Sequence, residues 1–218
     1  MSQPESQLDF ARLRHEYTQR SLSERDVDRD PIKQFVLWLK EAVDAGANEP
    51  NAMTLATSAS DGAPSARMVL LKDINQEGFA FFTNYLSRKA RELDANPRAA
   101  LVFYWPELER QVRIEGDVVR TGEDESDAYF QNRPPQARLG SAASPQSEVI
   151  ESRHVLEDRM RELSERYPQG NAPRPRHWGG YRVRPARIEF WQGRPSRLHD
   201  RILYVKEPAG WIIRRLAP

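Results

Sequence analysis

A chain of 218 residues is long enough for one domain with a substantial core, and its 33 Lys and Arg against 32 Asp and Glu leave a formal charge of only +1. That balance gives no global pull toward nucleic acid or a membrane surface, so any anion site has to arise from local clustering. Cysteine is absent, which excludes disulfides, thiolate nucleophiles and Cys-ligated metals and fits a reducing, cytoplasmic setting.

The first residues, MSQPESQLDFARLRHEY, lack the apolar run of a secretory signal, and no stretch approaches the ~20 apolar residues that span a bilayer. Residues 1–8 read as a mobile terminus, and Phe10, Leu13 and Tyr17 recur at helical spacing, so a short helix is expected within the N-terminal segment 1–20. The remainder, 21–218, reads as a single domain. Asp30 is placed to cap a helix that Pro31 opens, with an apolar stripe at Phe35, Trp38, Leu39, Ala42 and Val43 and a stop at Gly46. From Ala52 the pattern turns to strands: AMTLATS, SARMVLLKD, GFAFFTN, AALVFYW and RQVRIEGDVVRT. One short helix, SRKARELDAN, interrupts them, with Ser87 as its expected cap. Residues 123–133 and 148–166 read as charged helices, and RPPQARLGSAASPQS between them as a loop. GYRVRPARIEFWQG, RLHDRILYVKE and GWIIRRLAP supply the last strands. The expected architecture is mainly β, an antiparallel barrel with peripheral helices.

Four stretches could carry chemistry. The helix that begins at Arg88 and Lys89 puts two cations at its positive pole, at a cost of roughly 0.3–1 kcal/mol each. An anion seated there would reconcile cap, dipole and cations, and a solvated basic turn is the alternative. In SARMVLLKD, strand alternation sets Arg67, Val69 and Leu71 on one face and Met68, Leu70 and Lys72 on the other. The two cations then face a polar cavity, are paired, or lie at exposed strand ends. Tyr129 and Arg133 are four apart on a helix face, where phenol and guanidinium form either a phosphate clamp or a surface stack. In EFWQGRPSRLHDR, a strand would align Arg197, His199 and Arg201 on one face. Arginine neighbours favour a neutral imidazole able to hydrogen-bond a substrate. Trp191 either packs a planar ligand or belongs to the core.

Several chemistries find no support. The eleven glycines form neither a dinucleotide fingerprint nor a P-loop. His15, His154, His177 and His199 lack metal-ligand spacing, so no metal is expected. There is no G-x-S-x-G elbow. Dispersed aromatics and a neutral charge argue against a single-stranded nucleic-acid barrel. The residues alone lead to a β-barrel with phosphate-sized anion sites and leave the reaction unnamed.

The stretches RMVLLKD, FFTNYLSRKARELDANPRAAL, ERQVRIEG, WGGYRV and IEFWQG…RLHDR occur in order between LRHEYT and the terminal RLAP. In these the chain resembles the pyridoxine/pyridoxamine 5′-phosphate oxidase family across nearly its whole length. The resemblance implies an FMN-binding split β-barrel, antiparallel and Greek-key-like, working as a homodimer with FMN between subunits. By resemblance, Arg67, Arg88 and Lys89 hold the FMN phosphate. The backbone of Arg67, Met68, Val69, Leu70, Leu71 and Lys72, with Phe82, Thr83, Gln111, Gln146 and Ser147, lines the rest of the cofactor, and Trp191 and Arg201 complete it. The substrate phosphate goes to Lys72, Tyr129 and Arg133. Arg197, Leu198 and His199 meet the pyridine ring, with Arg197 and His199 as the catalytic pair, and Arg14 and Tyr17 close over it. The implied reaction passes a hydride from substrate to FMN and then electrons to O2, with no nucleic-acid or membrane partner. Two positions depart from the family pattern: Ala137 stands where a phosphate-binding serine is often found, and Phe82 where tyrosine is frequent. A split-barrel flavoprotein with another acceptor and a non-catalytic FMN or pyridoxal-phosphate carrier are the competing implications.

Overall fold

The computed structural model describes residues 16–218. In chain order they form α1 (Pro31–Asp44), β1 (Ala52–Ser58), β2 (Pro64–Leu70), β3 (Asp73–Asn75), β4 (Gly78–Asn84), α2 (Arg88–Ala95), β5 (Arg98–Trp105), β6 (Arg110–Arg120), α3 (Glu123–Gln131), α4 (Pro135–Ala143), α5 (His154–Arg166), β7 (Trp178–Gln192), β8 (Asp200–Glu207) and β9 (Gly210–Leu216). The strands make one curled antiparallel sheet in the order β2-β1-β5-β6-β7-β4-β3, with β8 added to β7 and β9 to β8. The mainly β, antiparallel class and the peripheral helices are as expected from sequence.

Alternation explains the sheet. In β1, Met53, Leu55 and Thr57 are buried while their neighbours are half-exposed, the two-residue period of a strand with one face on a core. Helix α1 closes that core. Phe35 meets Phe79 and Phe103 edge-on at ring distances of 4.9 and 4.8 Å, and Trp38 meets Phe190 at 5.1 Å. Each such buried ring contributes roughly 1.5–3 kcal/mol by removal from water. Asp30 caps α1 as its position suggests, its carboxylate accepting the Ile32 N–H at 2.8 Å. Val43, expected on the apolar stripe, is instead exposed.

Strand β7 is the longest, at 15 residues. It survives Pro185 because the register with β6 shifts there: Gly116 pairs with Pro185 and Glu115 with Arg187, leaving Ala186 over as a bulge. The close approach demands glycine, since a Cβ on Gly116 would lie 2.0 Å from the Arg184 carbonyl oxygen.

Four local expectations are corrected. The stretch read as a loop between two helices contains α4, which Pro135 opens; the Pro-Pro pair marks a helix start because proline needs no N–H at that position. The helix expected over 148–166 begins only at His154. Ser87 stands at the N-cap of α2 but makes no capping hydrogen bond; its hydroxyl accepts from Lys89 Nζ at 3.4 Å. The strand expected to align Arg197, His199 and Arg201 begins at Asp200. Arg197 and His199 precede it in a turn where Ser196 and Arg197 adopt left-handed φ of 56° and 60°. The short helix expected around Phe10 and Leu13 lies outside the described residues, and Tyr17 sits in irregular backbone. Among the described residues no helix is long and apolar enough to cross a membrane.

Removing the α1 cap tests this account of the core lid. Asp30→Ala is expected to destabilise the fold by about 1 kcal/mol, read as a lower urea midpoint with an unchanged slope.

Candidate active site

A cavity of about 830 Å3 opens between β2, β4, the start of α2 and the α3–α4 region. It gathers most of the expected cofactor and substrate residues: Arg67, Met68, Val69, Leu70, Lys72, Phe82, Thr83, Arg88, Lys89, Tyr129, Arg133, Gln146 and Ser147. Leu71 does not line it. Its side chain is in the core, and its backbone N–H and carbonyl are both bonded to Asn51.

One end of the cavity is a cationic cluster built around a buried carboxylate. Glu92, one helical turn after Arg88 on α2, accepts from Arg88 Nε at 2.8 Å, Arg67 Nη2 at 3.2 Å, Thr57 Oγ1 at 2.5 Å and Ser65 Oγ at 2.6 Å. Burial alone would raise this carboxyl, but hydrogen bonds from Ser65, Thr57, Arg88 and Arg67 bring it down to about 2. Lys89 Nζ donates to Gln146 Oε1 at 3.0 Å and Thr83 Oγ1 at 3.2 Å. Burial first, and the neighbouring Arg67 next, lower Lys89 to about 8, with Glu92 acting in the opposite sense. Three protonated cations against one carboxylate leave a formal +2, the match for a phosphate monoester dianion at the positive end of α2.

The other end is walled by aromatic rings and holds Lys72 and Arg133. Tyr129 stacks on Phe82 with ring centroids 4.0 Å apart, and Phe82 on Trp178 at 5.6 Å. The Arg133 guanidinium lies 4.8 Å over the Trp178 ring and is held by the Ser141 hydroxyl, which itself donates to the Ala137 carbonyl at 3.0 Å. Among the described residues neither Arg133 nor Lys72 has a carboxylate partner, so their charges are available to a ligand. Burial raises the Tyr129 phenol despite the opposing Arg133, which keeps its O–H as a donor. Phe82 thus acts as a stacking platform, a role that needs no hydroxyl. Gly180 leaves room for it, since a Cβ there would meet the Phe82 ring at 2.8 Å.

The remaining expected residues form a separate group. Gln111, Trp191 and Arg201 are directly opposite one another across β6, β7 and β8. They face away from the core, whereas the adjacent row of Val112, Phe190 and Ile202 is fully buried. Arg201 is clamped by Glu189 through Nε at 2.7 Å and Nη2 at 3.1 Å. His199 packs on Trp191 at 4.6 Å, and the Arg194 N–H donates to its Nδ1 at 3.1 Å. Burial and then Arg197 lower its pKa, which favours the neutral ring, and the bond accepted at Nδ1 leaves the proton of that form on Nε2. Tyr17 meets Trp191 at 5.5 Å and His199 at 5.6 Å, in a space that a side chain at Gly193 would fill. Buried Glu109 anchors that segment by accepting the Thr18 and Gln19 N–H groups at 3.0 and 3.1 Å. Arg197 and Leu198 are exposed in the adjoining turn. Arg14 lies outside the described residues.

The cavity and this second group sit at opposite ends of β7, with Trp178 in one and Trp191 in the other. At about 3.3 Å per residue the 15-residue strand has a contour of roughly 50 Å. Within one chain the two groups of expected residues are therefore separate, and Gln111, Trp191, Arg197, His199 and Arg201 do not line the cavity. Sequence reasoning missed Glu92 and Trp178. The i,i+4 spacing of Arg88 and Glu92 and the WGG sequence were the signals available.

Comparison with known proteins supplies the family. Residues 39–167 match the model described as pyridoxamine 5′-phosphate oxidase, and residues 178–218 match the pyridoxine 5′-phosphate oxidase C-terminal dimerisation region. A pyridoxine/pyridoxamine 5′-phosphate oxidase of Rubrobacter xylanophilus is 60% identical over 96% of this chain and 97% of its own. One from Trichormus variabilis is 58% identical over 96% and 98%. Among solved structures, PhzG from Burkholderia lata 383 in complex with tetrahydrophenazine-1-carboxylic acid superposes with a TM-score of 0.84 at 35% identity, covering 89% of this chain and 95% of that one. On a family match over more than half its length and on relatives this similar from end to end, the chain belongs to the pyridoxamine 5′-phosphate oxidase family.

Proposed function

We propose that the protein is a homodimeric, FMN-dependent oxidase that converts pyridoxamine 5′-phosphate and pyridoxine 5′-phosphate to pyridoxal 5′-phosphate, with O2 as the electron acceptor. The observation that carries this reading is a single cavity with two separate anion pockets, one for each phosphate of a flavin mononucleotide and a phosphorylated substrate. The names of the close relatives point the same way.

The residues present fit FMN. The +2 cluster of Arg67, Arg88, Lys89 and Glu92 suits its phosphate, and β2 with Thr83 and Gln146 offers polar and apolar walls for the rest. Lys72, Tyr129 and Arg133 would take the substrate phosphate, leaving the substrate ring to lie toward the cofactor. Neither pocket reaches Trp191, Arg201, Arg197 or His199 of the same chain, so in this reading a second protomer brings its β6–β8 row over the cavity. The match of residues 178–218 to a dimerisation region supports that arrangement.

FMN held by Arg67, Arg88 and Lys89 would supply the two-electron acceptor for oxidation at the substrate C4′ carbon, the two electrons and two protons going on to O2 as H2O2. The chain's own residues position and shield. Arg197 supplies positive charge beside the reacting substituent, and the Nε2 proton of neutral His199 orients the substrate by donation. His199 is a poor base, because its Nδ1 lone pair is occupied by the Arg194 N–H. Tyr17, seated on Gly193, covers this end and excludes water. With the amine the product imine takes up water and releases ammonia, and with the alcohol the aldehyde forms directly.

Three outcomes are expected. Purified protein should be yellow, release FMN on denaturation and form peroxide in air with pyridoxamine 5′-phosphate but far less with unphosphorylated pyridoxamine; bound FMN without peroxide would sink the oxidase reading. Arg197→Ala should lower kcat by about 10²-fold with FMN still bound, measured by steady-state kinetics and flavin absorbance. FMN affinity should weaken above pH 8. The free protein then carries a partly deprotonated Lys89, and binding a dianion must first restore that proton, costing up to about tenfold per pH unit in a titration of flavin fluorescence.

A further inference from the structure

We propose that Glu92 is a positioning residue for the cofactor phosphate: its buried carboxylate holds the Arg67 and Arg88 guanidinium groups in the array that receives the anion. The inference rests on the assignment of this cluster to the FMN phosphate. Glu92 is at first sight the wrong charge for such a place, since it neutralises one of three cations that an anion needs. Its geometry resolves the conflict. The side chain is only 6% exposed and lies beneath the cations, with four donors converging on its two oxygens. Oε1 takes Arg88, and Oε2 takes Arg67 together with the hydroxyls of Thr57 and Ser65. It does not line the cavity, whereas Arg67, Arg88 and Lys89 all do.

The three cations depend on it in different degrees. Arg88 is 61% exposed, and Glu92 is its only side-chain partner among the described residues. Without the carboxylate it becomes a free solvent rotamer, which loses entropy when a ligand orders it. Arg67 keeps bonds to the Leu55 carbonyl and to Thr57, and so stays in place. Lys89 is pressed by burial and by Arg67, with Glu92 the neighbouring charge that favours its charged form. Removing Glu92 therefore unfixes one cation and discourages protonation of another. These two losses outweigh the gain from deleting one negative charge, because binding requires oriented donors rather than net charge alone.

The test is a pair of titrations on the full-length protein freed of flavin, with FMN and with riboflavin, which lacks the phosphate. Wild type should bind FMN far more tightly than riboflavin. Glu92→Gln should weaken FMN binding tenfold or more and change riboflavin binding by less than twofold. Equal losses for both flavins would show a merely structural role and overturn the proposal. Unchanged or tighter FMN binding would overturn it by showing that the carboxylate is only a counter-charge. A wild type that does not distinguish the two flavins would instead overturn the phosphate assignment itself. Should Glu92→Gln not fold, Glu92→Asp serves, because it keeps every charge and leaves the Arg67–Thr57 bond intact but withdraws the carboxylate from Arg88. It should produce a smaller, still FMN-selective loss of about threefold, and a loss shared with riboflavin would count against the proposal.

Discussion

Strand β7 pairs with β4 along its first half and with β8 along its second, while β6 runs beside it from Tyr181 to Gln192. Its bulge at Ala186 lets a proline-containing strand of 15 residues continue rather than end. The anion cavity hangs from the first half, through Trp178 and the Phe82 platform of β4. The Gln111–Trp191–Arg201 row hangs from the second. A sheet that curls about this strand places the two groups rigidly but keeps them apart, and that separation is what makes a second protomer necessary for a complete site in the proposed function.

The electrostatics follow a similar economy of parts. Clustering cations in a nearly neutral protein requires local compensation, and each group meets this differently. Around Arg67 and Arg88 the compensation is a buried carboxylate held by two hydroxyls. Arg201 is answered by Glu189. Arg133 has aromatic faces and the Ser141 hydroxyl in place of a carboxylate, so its charge is not neutralised by a carboxylate among the described residues. Ser141 lies one turn along α4 from Ala137, so a hydroxyl reaches Arg133 even though residue 137 carries none.

Much of this was legible in the sequence. Alternating burial marked the strands, Asp30-Pro31 marked α1, and the paired cations of RMVLLKD and SRKARE fall in one cavity. The failures have physical reasons. RLHDRIL alternates like a strand, and nothing in non-glycine residues announces that Ser196 and Arg197 take left-handed backbone. Pro134-Pro135 suggested a loop because proline breaks helices, but at the first helical position it begins one. Glu92 was missed, because its i,i+4 spacing from Arg88 is equally that of an ordinary surface pair. Only burial beneath the cluster distinguishes it, and burial depends on β1 and β2 packing against α2. The distance between the two groups was invisible, because alternation reports which face a residue takes and not how far along a curled sheet it stands.

The placement of the two groups at opposite ends of one strand has a genetic consequence. If each complete centre draws its cavity from one chain and its Trp191–His199 row from another, a chain damaged in the cavity still lends an intact row to its partner. Two differently crippled alleles, one altered at Arg88 and one at Arg197, would then co-assemble mixed dimers in which one centre is whole and the other carries both lesions. In the proposed dimer, complementation between alleles of a single gene would follow from the way β7 separates the two groups.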